Sequence, residues 1–77
     1  SAVLRFFLQG GYKMVLINGK NTSADGKTVS QYLEEANFNP QTIAVELNED
    51  ILPKPQYGET VLKDGDVLEV VSFVGGG

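Results

Sequence analysis

Few groups in this 77-residue sequence could do covalent chemistry, because cysteine and histidine are both absent. That removes thiolate nucleophiles, imidazole bases, disulfides and the usual soft metal ligands together. Two features remain. The turn Lys63-Asp64-Gly65-Asp66 carries two carboxylates, but a glycine-bearing turn of exposed acids is ordinarily just a turn, and no histidine stands by to share a proton. The run Gly75-Gly76-Gly77 is different. A tail without side chains threads a narrow channel and can deliver the carboxylate of Gly77 to a nucleotide held by another protein. With an ordinary pKa of about 3.3–3.7, that carboxylate is ionised at neutral pH and can attack the α-phosphate of ATP. The acyl-adenylate that results is an activated carbonyl, open to a sulfur nucleophile that would leave a thiocarboxylate.

A working tail must be presented by something rigid, and the residues before it read as a strand. Gly65-Asp66 makes a sharp turn, and Val67 to Phe73 follows as an apolar run with alternating faces. Leu68 and Val70 share one face and Val67, Glu69, Val71 and Phe73 the other. One face must pack inward. The other then displays Val71 and Phe73 beside an acidic residue, a surface suited either to a partner or to partial cover by a neighbouring segment.

Upstream, Met14 to Ile17 is β-prone and runs into Asn18-Gly19, a strong hairpin signal, with Lys20 to Ala24 returning as a polar strand. Thr28 and Gln31 have the spacing of a capping box, and Val29, Tyr32, Leu33 and Ala36 fall on one helical face. Asn37 to Pro40 closes that helix. Thr42 to Leu47 alternates as a strand with Ile43, Val45 and Leu47 on one side, Asn48 to Asp50 turns, and Ile51-Leu52 pairs briefly at an edge before Pro53 and Pro55. Tyr57-Gly58 reads as a short turn of tight helix. The order β-β-α-β-(short β)-β predicts an α+β fold of the ubiquitin-like β-grasp type. It is a mixed sheet of four to five strands with one main helix on one face, its first and last strands pairing in parallel.

Seventy-seven residues allow one domain, with 42% hydrophobic residues to build its core. The net charge of −4 and the scattered basic residues argue against nucleic acid. The apolar run Val3 to Leu8 is too short to span a bilayer. Residues 1–13 read as a leader outside the domain, the competing reading being an extra edge strand. The domain is expected over 14–74, with a flexible glycine tail at 75–77. The lack of cysteine is compatible with a cytoplasmic setting.

From Met14 to Gly77 the residues carry a resemblance. Ile17-Asn18-Gly19, Thr28-Val29, Val45-Glu46-Leu47-Asn48, Ile51-Leu52-Pro53-Lys54, Tyr57, Leu62, Gly65-Asp66 and Phe73-Val74-Gly75-Gly76-Gly77 together resemble the ThiS family of sulfur carriers in thiamine biosynthesis. The resemblance implies a carrier rather than an enzyme. An E1-like adenylyltransferase (ThiF-like) would adenylylate Gly77 with its own ATP and Mg²⁺, and a sulfurtransferase system would supply sulfur. A thiazole synthase (ThiG-like) would take that sulfur to build the thiazole. It further implies that Gly75, Gly76 and Gly77 form the tail and that Val71, Phe73 and Val74 meet the partner. No metal or cofactor would be held by the chain itself. The small subunit of molybdopterin synthase shares the Gly-Asp turn and Gly-Gly end, a ubiquitin-like modifier would use the same activated carboxylate on an amine, and a plain interaction module would use no chemistry at all.

Overall fold

The computed structural model describes residues 14–73. Five strands form one mixed sheet: β1 Val15–Ile17, β2 Lys20–Thr22, β3 Ile43–Leu47, β4 Asp50–Leu52 and β5 Val67–Ser72, in the order β2-β1-β5-β3-β4. A single α-helix, α1 Val29–Glu35, crosses between the hairpin and β3. β1 and β5 run parallel at the centre and every other pairing is antiparallel. The predicted topology is therefore the observed one. Two hairpins turn on residues of left-handed backbone, Asn18-Gly19 (φ 50° and 84°) and Asn48-Glu49 (φ 54° and 74°). Their twist matches that of the flanking strands, which is why such turns favour asparagine and glycine. Glu49 meets the same demand without either advantage.

The helix begins as its sequence dictates. Thr28 Oγ1 accepts from the Gln31 N–H at 3.0 Å, and Gln31 Oε1 accepts from the Thr28 N–H at 2.8 Å, so two otherwise orphaned donors are satisfied reciprocally. Its end differs from expectation. Helical geometry stops at Glu35, and Asn37 turns left-handed at φ 64°. Phe38 N–H then reaches Leu33 O at 2.8 Å while Asn37 N–H reaches Glu34 O at 3.1 Å, the paired bonds of a Schellman motif. Ala36, predicted on the buried face, is consequently exposed. Phe38 folds back against Tyr32 and the core in its stead, with ring centroids 6.4 Å apart.

Seven residues make a helix about 10 Å long, too short to cover a five-stranded sheet roughly 19 Å wide. The remaining cover comes from the segment between β4 and β5. There a 3₁₀ turn at Lys54–Gln56 delivers Tyr57 into the core, and Leu62 is sealed completely. This turn lies earlier than the predicted Tyr57-Gly58. Thr28 and Val61 form an isolated antiparallel bridge, which ties the segment to the start of α1. The core joins Val15, Ile17, Val29, Leu33, Ile43, Val45, Leu52, Leu68 and Val70 with these two residues. Ala24 belongs to it as well, although a polar strand through Ala24 was expected; β2 ends at Thr22, and Ala24 turns inward beneath the helix. Among the described residues no helix is long and apolar enough to cross a membrane.

Burial pushes the Tyr57 phenol above its ordinary value of 10.0, with a backbone hydrogen bond at Val45 offsetting part of the effect. The unfolded chain then loses this proton at lower pH than the native one, so the native state binds more protons in that window. The contribution is intact below about pH 10 and is lost as pH rises through the native pKa. We expect the urea midpoint to fall more steeply above about pH 10 in the natural protein than in Tyr57→Phe, which lacks the titrating group. Parallel profiles for the two proteins would contradict the burial.

Candidate functional site

The candidate site is the end of β5 and the sheet face that leads to it. β5 lies between β1 and β3, so both of its edges are paired. Leu68 is level with Ile17 on one side and with Leu47 on the other. Two asparagines in left-handed turns hold the strand from its ends. Asn48 Oδ1 accepts from the Val67 N–H at 2.9 Å, and the Asn48 N–H donates to Val67 O at 2.7 Å. Asn18 Oδ1 accepts from the Val70 N–H at 2.8 Å, extending the parallel pairing one step beyond β1. Further along, Phe73 N–H donates to Thr42 O at 2.9 Å. The backbone is thus fixed up to the residue before the predicted partner-binding Val74. Val74 and the tail residues Gly75, Gly76 and Gly77 lie outside the described residues.

Side chains on β5 alternate as predicted. Leu68 and Val70 are buried, while Glu69, Val71 and Phe73 are exposed and Val67 is half-buried. Val71 is 56% and Phe73 46% exposed, so both sequence-predicted contact residues stand open. The open face carries more than these. The register sets Val71 beside Ala44, Glu69 beside Glu46, Glu46 beside Ile51, and Val67 beside Leu16. Ile51, 74% exposed, is the most open large apolar side chain described. Sequence reasoning had it only as an edge residue. Because Ile51 and Leu52 are adjacent in a strand, only one of them can face the core, and that alternation was the available signal.

The second chemical candidate proves structural. Gly65 adopts φ 92°, a left-handed position that glycine takes without strain, and the turn closes through Asp66 N–H to Lys63 O at 3.0 Å. Asp66 was expected to be exposed like Asp64, yet it is only 4% exposed. Its carboxylate accepts from the Lys63 N–H at 3.0 Å and from Asn48 Nδ2 at 3.1 Å, with Lys63 Nζ at 3.5 Å. The burial follows from this work: Asp66 braces the turn before β5 against the β3–β4 hairpin. Asp64 stays outside and accepts from the Met14 N–H at 2.9 Å. Among the described residues no group of three acids could hold a metal ion.

The mixed sheet, its single helix, and a paired central strand running out toward a glycine tail define a β-grasp domain. The ThiS family model matches residues 14–77, and the chain belongs to the ThiS family of sulfur carriers. It is 39% identical over 64 residues to the sulfur carrier protein ThiS of Thermus thermophilus, a match that spans 83% of this chain and 100% of that protein. A crystal structure of the thiamine biosynthesis protein ThiS from Geobacter metallireducens agrees with a TM-score of 0.68 at 32% identity, covering 83% of this chain and 99% of that one. A thiazole synthase of Paramagnetospirillum magneticum is 43% identical over 65 residues, which span 82% of this chain but 20% of that protein. Members of this family carry sulfur in thiamine biosynthesis and are not themselves enzymes.

Proposed function

We propose that the carboxylate of Gly77 is the group that carries the sulfur. A ThiF-like adenylyltransferase, using ATP and Mg²⁺ bound on its own surface, lets the carboxylate oxygen attack the α-phosphorus. The bond to the β-phosphate breaks and pyrophosphate leaves. Sulfide, supplied through a sulfurtransferase system, then attacks the adenylated carbonyl and AMP departs, leaving a thiocarboxylate. A ThiG-like thiazole synthase draws on that sulfur. The absence of cysteine from the whole chain supports this reading, because no internal thiol can intercept the activated carbonyl.

The observation that carries the proposal is the fixing of β5 through Phe73, directly before three glycines in the sequence. A strand held on both edges cannot swing, so the reach of the carboxylate is set by the few residues that follow. Val71, Phe73 and Val74 form the collar that meets the partner as the tail enters. The family match begins at residue 14, which supports reading 1–13 as separate from the domain. The compartment in this reading is the cytoplasm, where ATP is abundant.

The first step has its own readout. With a ThiF-like enzyme and Mg²⁺, labelled pyrophosphate should exchange into ATP only when the chain is added, since reversal of adenylylation regenerates ATP. Exchange of equal rate without the chain would overturn the assignment of Gly77 as acceptor.

A further inference from the structure

The open sheet face contains an arrangement that costs stability. Glu46 on β3 and Glu69 on β5 are direct cross-strand partners, and both are exposed. Their Cβ atoms therefore lie roughly 4.5–5.5 Å apart, where like charges repel. Among the described residues the ion pairs are Lys27 with Glu35 and Lys63 with Asp66, and neither involves this acidic pair. Around the pair the face is apolar, with Val71 and Ile51 as its most open members. Two acids set together within an exposed apolar surface, on the strand that leads to the tail, form a surface completed by a cation from outside.

We propose that Glu46 and Glu69 together receive one basic side chain of the adenylylating enzyme, and that this contact selects the partner while Val71, Ile51 and Phe73 supply the apolar contact. The choice of partner follows from chemistry, and rests on the adenylylation reading above. An enzyme that brings a carboxylate up to the phosphates of ATP must gather two anions, and so must place cations around its cleft. Glu69 stands eight residues before Gly77 on the strand that feeds that cleft. An arginine or lysine at its rim would span both carboxylates and relieve a repulsion the free carrier bears alone. The pair thus trades stability of the free domain for recognition.

The test uses the full chain with Glu46→Gln, Glu69→Gln and the double substitution. In chain-dependent pyrophosphate exchange the double variant should show a KM for the carrier raised about tenfold, with kcat at saturation unchanged and a flatter salt dependence. Its thermal midpoint should equal or exceed that of the natural chain, because the repulsion is gone. A residue needed only for folding would lower that midpoint instead. Titration of the two proteins without ATP reads the same affinity independently of chemistry, so loss of exchange in the natural chain would sink the carrier chemistry without deciding this contact. Unchanged affinity and salt dependence in the double variant would overturn the proposal. So would a loss of affinity for thiazole synthase with none for the adenylylating enzyme.

Discussion

Removing Gly77 alone should abolish thiocarboxylate formation and leave the unfolding free energy within about 0.5 kcal/mol of the full chain. The two halves of that expectation have different origins. Every member of the described core lies between Val15 and Val70, and the last backbone bond tying β5 to its neighbour comes from Phe73. The tail therefore contributes nothing to the packing that holds the domain. Shortening it by one residue, however, withdraws the carboxylate by about 3.5 Å, and such a displacement of a reacting atom takes it out of attack distance. If the shortened chain were charged at the natural rate, the position of the acceptor would not be what the fold exists to set. If it were charged slowly, Gly76 would be serving as a poorer acceptor, and only the rate assignment would need revision.

Leu68→Ala should produce the opposite pattern, a loss of about 2–5 kcal/mol in stability. Leu68 is fully buried, on the central strand, level with Ile17 on β1 and Leu47 on β3. Truncating it opens a cavity where the two halves of the sheet meet, and neither neighbour is free to collapse into the gap. For a domain this small, whose whole stability is a few kcal/mol above the 5 kcal/mol end of the usual range, that loss unfolds an appreciable fraction at physiological temperature. Urea denaturation measures it directly. A change well under 1 kcal/mol would mean that Leu68 faces outward, contrary to the observed register, since a one-residue slip exchanges the two faces of a strand.

Much of this architecture was legible in the sequence because its signals are local. The capping box at Thr28 and Gln31, the hairpin at Asn18-Gly19, and the alternation of β5 each depend on residues within a few positions of one another, and each formed as read. What escaped was set by contacts across the chain. Tyr57 and Leu62 lie in a segment with no periodicity, and they are buried because the helix is too short to cover the sheet. Asp66 looked like an exposed turn acid, and its burial required the β3–β4 hairpin to bring Asn48 alongside. Ala36 fitted the helical face but fell just past a Schellman stop set by Asn37. The facing of Glu46 and Glu69 depends on the register of two strands more than twenty residues apart, which no local pattern encodes. The chemistry of the tail was legible for a simpler reason: a chain without cysteine or histidine leaves few other groups to consider.

The central claim is that Gly77 holds the sulfur, and the intact mass of the chain tests it most directly. The full-length protein would be incubated with a ThiF-like adenylyltransferase, ATP, Mg²⁺ and a sulfide source, then weighed and fragmented. The account predicts a gain equal to the replacement of one oxygen by sulfur, located on the C-terminal glycine fragment and absent when ATP is withheld. No gain, or a gain located on any residue other than Gly77, would contradict it.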